Sequence, residues 1–203
     1  MQESTREIHE ELRKKDMARE ASIKEVRLLI RTCGDGIRAI HREDGDGVAR
    51  AIDEAGMHLA SIRKELRDHP DLSSSNSVIG GLVEYAELRV VHGLIMENRM
   101  PTYGEVGVPP VAYLNGLGDA VGEVRRHVLN LLRRQDTAEA ERYLDLAEEI
   151  YDMIMNFDYP RAILGDLRRK QDVARSLLER TRADVTMAVL QRDLSDKLEG
   201  SRD

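Results

Sequence analysis

Residues 76–99 constrain the fold most, because they are apolar on nearly every side of a helix. A helix without a polar face has to be covered by other elements, so we expect it at the centre of the protein. The spacing predicts a helix from about Asn76 to Arg99. Its apolar positions are Val78, Ile79, Leu82, Val83, Tyr85, Leu88, Val90, Val91, Leu94 and Ile95.

Five further helices are predicted from apolar residues that recur every three or four positions. In the first of them the repeat runs through Gly34 and Gly36, which makes the two glycines its weak point. Gly45 and Gly47 predict a turn, and prolines and glycines predict a loop over residues 100–110. The expected helices run from about Ser4 to His41, Val48 to Arg67, Pro110 to Arg134, Thr137 to Asn156 and Gly165 to Leu198.

No segment shows the sustained alternation of a β-strand, so the predicted fold is all-α. We expect residues 1–203 to form a single-domain bundle of about seven helices, with long first and last helices and a disordered end at 200–203. Helices as long as the first and the last would overhang such a domain, which favours self-assembly.

The composition excludes several classes of protein. The lone Cys33 excludes a disulfide framework and a cysteine-based zinc site, and it favours a cytoplasmic location. The sequence has no apolar run long enough to span a membrane and no signal-peptide pattern at its start, so we expect no membrane partner. The net charge is −7, but 25 of the 31 cations are arginine. Because arginine suits phosphate contacts, a nucleic-acid partner stays open despite the acidic total.

The motifs of the common enzyme classes are absent from the sequence. It contains no Walker loop, no GxGxxG, no HExxH and no GxSxG. A di-iron carboxylate bundle needs paired Glu-x-x-His motifs, and no glutamate here is followed by histidine at the third position.

Two carboxylates interrupt the apolar central helix. Glu84 and Glu87 are three residues apart and project from the same side, and neither has a cation three or four residues away. Adjacent anions repel, and burying an unpaired carboxylate costs several kcal/mol. A divalent cation would remove both costs, and so would arginines reaching in from another helix.

A second pair lies on the following helix, within YLNGLGDAVGEVRR. Asp119 and Glu123 are four residues apart, and Glu123 has Arg126 or His127 within local reach. Gly118 and Gly122 lie beside them and allow another backbone or a ligand to approach closely. This is the polar side of the helix, so an ordinary solvated face is the alternative. Taken together, oxygen ligands without cysteine or histidine suit Mg²⁺ or Mn²⁺, which assist the hydrolysis of nucleic acids.

Basic side chains supply candidate phosphate contacts, with solvated surface as the alternative reading. Since the chain has six tyrosines, one phenylalanine and no tryptophan, base stacking is weak and backbone electrostatics would dominate binding. The candidates are His41, Arg42, Arg125, Arg126, Arg169 and Lys170.

The sequence resembles the translin family, which contains translin and Trax, in its archaeal form. The resemblance is carried by DMAREASIKEVRLLIR with the later IHRED, by LVEYAELRVVHGLI, by YLNGLGDAVGEVRR and by DYPRAILGDLRRKQDVARSLLERTRADVT. It implies a seven-helix domain that assembles into hollow, often octameric, particles and binds single-stranded RNA and DNA. In the Trax branch it also implies a Mg²⁺-dependent endoribonuclease whose acidic motifs match Glu84, Glu87, Asp119 and Glu123.

The sequence therefore predicts a Mg²⁺-dependent endoribonuclease that acts on single-stranded RNA within a homo-oligomeric shell. Glu84, Glu87 and Asp119 would bind the metal, with Mn²⁺ as a substitute, and Glu123 would complete the site or orient water. Two alternatives remain, a non-catalytic protein of translin type that binds single-stranded RNA or DNA, and a helical scaffold whose charges only keep it soluble.

Overall fold

The structure is a computed structural model that describes residues 2–200. All regular structure among these residues is helical, which confirms the all-α prediction. Disorder was expected for 200–203; Gly200 instead ends the last helix, and 201–203 lie outside the described residues. The α-helices are α1 (Gln2–His41), α2 (Gly45–Glu65), α3 (Asn76–Met96), α4 (Tyr103–Val106), α5 (Pro110–Arg133), α6 (Thr137–Met155), α7 (Arg161–Leu164) and α8 (Leu167–Gly200), and a 3₁₀ turn spans Leu72–Ser74.

The six long helices match the predicted ones to within a few residues at each end. The first and last are the longest, with 40 and 34 residues, as expected. Two short helices, α4 and α7, were not predicted, because four residues are too few to show a helical period. The predicted loop 100–110 contains α4, which begins with a capping box between Thr102 and Glu105.

The turn predicted from Gly45 and Gly47 is wrong. Both glycines lie in the first turn of α2, because the side chain of Asp44 accepts a hydrogen bond from the backbone N–H of Gly47 at 2.9 Å and caps the helix. A Cβ at Gly47 would lie 2.3 Å from Oδ2 of Asp44, so the cap requires glycine there. The glycines thus start a helix.

The chain divides by its contacts into two compact units, one ending at Tyr113 and one beginning at Leu114. This boundary lies inside α5. The sequence predicts one domain, so the division is a feature that helical periodicity does not reveal.

In the first unit, α1 and α2 both pack against α3. The apolar residues predicted to place α3 at the centre are almost all buried, including Leu88, Val90 and Val91, which have no exposed surface. Nδ1 of His58 on α2 lies 2.8 Å from Oε2 of Glu25 on α1 and links these two helices.

The loop after α3 folds back onto the end of that helix. The backbone N–H of Arg99 donates to the carbonyl of Gly93 at 2.9 Å, and a Cβ at Gly93 would lie 2.7 Å from Cδ of Pro101. Asn98 takes a left-handed conformation with φ of 52°. These contacts end α3 at Met96, three residues before the predicted end.

In the second unit, α6 and α7 pack against α8, and side chains join α5 to α8. The amide of the buried Asn115 on α5 donates to the carbonyl of Leu164 at 2.8 Å, which fixes the segment before α8. The rings of His127 on α5 and Tyr143 on α6 meet edge to face, with centroids 4.4 Å apart. Within residues 2–200, no helix is both long enough and apolar enough to cross a membrane.

The two glycines of α1 are expected to respond in opposite ways to alanine. A Cβ at Gly36 would lie 2.7 Å from Cδ1 of Leu88, whereas a Cβ at Gly34 would meet only the exposed guanidinium of Arg38, at 3.4 Å. Gly34→Ala should raise the free energy of unfolding by up to ~1 kcal/mol through helix propensity. Gly36→Ala should lower it by about 1–3 kcal/mol through overpacking.

Urea denaturation followed by circular dichroism measures both changes. Gly34→Ala is the matched control for Gly36→Ala, since the two positions differ in packing and not in helical context. A gain in stability from both substitutions would contradict the close packing of α1 on α3.

Candidate functional site

The first acidic pair lies on α3 in the first unit. Glu84 and Glu87 are both half-buried. Burial raises the pKa of the Cys33 thiol on α1, and the negative charges of Glu84 and Glu87 raise it further. The two carboxylates therefore lie within electrostatic reach of one point on α1, on one side of α3. Cys33 itself is buried in the core.

The second acidic pair lies on α5 in the second unit. Glu123 is 25% exposed, and its Oε2 lies 3.5 Å from Nη1 of Arg126, one of the two local partners expected from the sequence. Asp119 is 30% exposed, and its Oδ2 accepts from the ammonium of Lys170 on α8. Asp119 thus has a cation that lies far from it in the sequence.

Lys170 reaches Asp119 because the neighbouring residue is glycine. A Cβ at Gly118 would lie 2.8 Å from Cβ of Lys170, so α8 approaches α5 over Gly118. Only 12% of the Lys170 side chain is exposed. The sequence predicts that Lys170 contacts nucleic acid, and its pairing with Asp119 is not visible in the sequence. The sequence feature that points to this pairing is Gly118, because a glycine allows another helix to approach closely. It does not show which residue makes the approach.

Arg125, a predicted phosphate contact, has an internal role in the second unit. Its guanidinium donates to Oγ1 of Thr181 at 2.8 Å and to Oδ2 of Asp184 at 2.9 Å. Only 19% of its side chain is exposed. These bonds tie α5 to α8 and account for Arg125 without any ligand.

The remaining basic candidates are more accessible. Arg126 and Arg169 are exposed, with Arg169 4.0 Å from Asp166. In the first unit, Arg42 is exposed directly after α1, and His41 ends that helix and is half-buried. Exposed ion pairs contribute about 0–1 kcal/mol, so the contacts of Arg126 and Arg169 with these carboxylates cost little to break.

The side chains of the two acidic pairs are chemically suited to bind a hard divalent cation. All four supply carboxylate oxygens, the ligands that Mg²⁺ and Mn²⁺ prefer, and at Asp119 a cationic group already contacts the carboxylate. In residues 2–200, no group of three or more His, Cys, Asp or Glu side chains is arranged to hold a metal ion. The four-residue metal site therefore stays a prediction.

Known proteins with similar sequences or structures match this chain over nearly its whole length. No family model matches the sequence. A protein of Methanocaldococcus jannaschii whose own function is uncharacterised is 32% identical over 192 residues, which are 92% of this chain and 83% of that protein.

Solved structures of C3PO proteins share the fold. AfC3PO in complex with duplex RNA has a TM-score of 0.87, and AfC3PO alone has 0.86; both are 29% identical, over 93% of this chain and 98% of theirs. Apo-NeC3PO is 24% identical and has a TM-score of 0.81, over 91% of this chain and 96% of its own. At this identity the similarity is one of fold alone. The chain therefore belongs to the translin/C3PO family.

Proposed function

We propose that this chain binds RNA and cleaves it in a reaction that depends on Mg²⁺. The observation that carries the proposal is the pair of partly buried acidic motifs, Glu84 with Glu87 on α3 and Asp119 with Glu123 on α5, in a fold that AfC3PO uses to bind duplex RNA. All four side chains supply carboxylate oxygens, which are the ligands that Mg²⁺ and Mn²⁺ prefer, and this supports a role as metal ligands.

The four carboxylates have different proposed roles, which follow from their surroundings. Glu84, Glu87 and Asp119 are the proposed ligands, and Glu123, which has Arg126 beside it, completes the set or orients water. When bound, Mg²⁺ neutralises the scissile phosphate and lowers the pKa of water. Exposed arginines such as Arg126 and Arg169 position the RNA backbone.

Single-stranded RNA is the proposed substrate for cleavage, on the resemblance to Trax, whereas the RNA bound to AfC3PO is a duplex. Single-stranded DNA is a further proposed ligand, since backbone contacts do not need a 2′-hydroxyl. A cytoplasmic location is proposed with it, because a single buried thiol suits a reducing compartment. The second candidate function is RNA binding without cleavage, which the contact between Lys170 and Asp119 favours, since that pair is complete without a metal.

Removal of one proposed ligand should abolish cleavage and spare binding. In Glu84→Gln, Glu87→Gln and Asp119→Asn, the rate of Mg²⁺-dependent cleavage of labelled RNA should fall by at least about 100-fold, since even the outer partners of metal ligands contribute 10–100-fold. Glu123→Gln should have a smaller effect. RNA affinity should stay the same or rise, because each change removes a negative charge near the phosphates.

The assay compares single-stranded with duplex RNA, in Mg²⁺ and in EDTA. Glu149→Gln, an exposed carboxylate on α6, is the matched control and should cleave like the unaltered protein. Undiminished cleavage by Asp119→Asn would overturn the ligand assignment. Binding without cleavage by the unaltered protein, in both Mg²⁺ and Mn²⁺, would establish the non-catalytic alternative.

A homo-oligomer is proposed as the working form, with an octamer as the expected size. An exposed apolar stripe along the last turns of α8 supports it, made of Met187, Leu190, Leu194 and Leu198, which are 57–59% exposed. Their spacing of three or four residues places them on one side of the helix, where a second copy of the chain can cover them.

Charges placed on this stripe should dissociate the assembly. Each buried leucine contributes about 1.5–3 kcal/mol, so the double variant Leu190→Glu with Leu194→Glu should weaken association by at least about 100-fold. Light scattering coupled to size-exclusion chromatography measures the mass. Met57→Glu, on α2 with 65% exposure, is the control and should leave the mass unchanged. An assembly that survives the double variant would show that α8 does not form the interface.

A further inference from the structure

The connection from α6 to α8 surrounds a hollow in the second unit. Its volume is about 730 Å³, and all of its lining residues lie between Phe157 and Asp172. This volume is within the range of roughly 300–1,000 Å³ that is usual for sites that bind small ligands. None of the four carboxylates of the acidic pairs lines the hollow, so it is separate from the proposed metal ligands.

The floor of the hollow is held in place by contacts within the second unit. Nε2 of the buried Gln171 on α8 donates to the carbonyl of Ile154, near the end of α6, at 2.8 Å. Leu164 is buried beneath the hollow, and the chain then turns at Gly165 with φ of 62°, a conformation that favours glycine. The fold itself therefore fixes the shape of the floor.

Two aromatic side chains, Phe157 and Tyr159, line the hollow. Tyr159 is 59% exposed, and among residues 2–200 its ring and its hydroxyl contact no aromatic or polar side chain. Three other tyrosines, Tyr85, Tyr113 and Tyr143, are instead buried in the core. An exposed ring that the fold does not use is available to stack on a planar ligand.

Charged side chains at the rim of the hollow balance one another. Arg161 lies 2.9 Å from Asp166, and Arg168 lies 3.5 Å from Asp158. Both pairs are exposed to solvent and therefore cost little to break. The lining as a whole contains three arginines and three aspartates, which are Arg161, Arg168, Arg169, Asp158, Asp166 and Asp172. A neutral hollow does not attract a polyanion from a distance, so its ligand has to be held by direct contact.

An unpaired nucleobase has the chemistry that these side chains recognise. Its flat face stacks on an aromatic ring or on a guanidinium plane, and its edge accepts hydrogen bonds from arginine. A base inside a duplex is already paired and stacked, so it would have to leave the double helix to enter the hollow. The hollow therefore suits single-stranded RNA better than a duplex.

We propose that this hollow binds one unpaired base of RNA, which stacks on Tyr159 while Arg161 and Arg168 contact the base edge and the adjoining phosphate. The inference rests on the proposed function, since it takes RNA as the ligand of the chain. It adds a site that selects single strands and that acts without a metal ion.

The test is the affinity of the full-length protein for labelled single-stranded oligouridylate and for a blunt RNA duplex, measured by fluorescence anisotropy in EDTA so that no Mg²⁺-dependent cleavage occurs. Tyr159→Ala should weaken single-strand binding by about 5- to 150-fold, the range expected for the loss of one stacked base, and should leave duplex affinity unchanged. Tyr159→Phe keeps the ring and should bind like the unaltered protein. Tyr159→Leu keeps an apolar side chain without a flat face and should behave like Tyr159→Ala.

The arginine of the rim has its own matched control. Arg161→Gln should weaken single-strand binding several-fold. Arg180→Gln removes an equal charge from the exposed surface of α8, where Arg180 bonds Ser176 of the same helix, and should have no effect. Equal losses from both substitutions would show that only the total charge matters, and would overturn the contact with Arg161.

Three results separate this proposal from its alternatives. If Tyr159→Ala binds the single strand like the unaltered protein, or loses duplex affinity equally, the base-binding role is wrong. If light scattering shows that Tyr159→Ala lowers the mass of the assembly, the hollow is an interface between copies of the chain, and the base-binding role is again wrong. If the unaltered protein binds neither RNA at low salt, the proposed function itself fails, and the role of the hollow fails with it.

Discussion

The fold depends on burying α3. A helix that is apolar on nearly every side has no stable position at a surface, and α1 and α2 pack against it in the first unit. The packing is close enough to require glycine: a Cβ at Gly81 on α3 would lie 2.9 Å from Cγ1 of Val26 on α1. Glu84 and Glu87 are the two acidic residues of this otherwise largely apolar helix.

In the second unit, polar contacts between helices lie beside an apolar core in which Val121, Val124 and Ile154 are fully buried. Arg125 links α5 to α8 through Thr181 and Asp184, and Lys170 links them through Asp119. The carboxylate in the second contact, that of Asp119, is also a proposed metal ligand. Each such pair joins one cation to one anion, so pairing leaves the net charge of −7 unchanged. The net charge alone does not decide whether RNA is bound, because the position of each charge matters more than the sum.

The sequence predicts the six long helices well because each repeats an apolar position over many turns. Asn76 and Thr137 begin α3 and α6 as expected, and Pro110 begins α5. Short helices such as α4 are not predicted, because a single turn is too short to show a helical repeat. The start of α2 was also misplaced, because Gly45 looks like a turn until the cap from Asp44 is known.

Contacts between distant residues account for what the sequence does not show about the site. The acidic pairs are visible as local spacings, and YLNGLGDAVGEVRR carries the most specific part of the family resemblance. Lys170, however, lies 51 residues from Asp119, and Arg125 lies 59 from Asp184. No local pattern distinguishes a cation that pairs internally from one that contacts phosphate. The sequence therefore predicts phosphate contacts for both Lys170 and Arg125.

We propose that Glu84, Glu87 and Asp119 ligate a divalent cation. Crystals grown with Mn²⁺ reveal whether they do, because Mn²⁺ gives an anomalous diffraction signal and can take the place of Mg²⁺ at oxygen ligands. We expect anomalous density at the carboxylates of these three residues. A structure in saturating Mn²⁺ with no anomalous peak at any of them would contradict the proposed role of these residues.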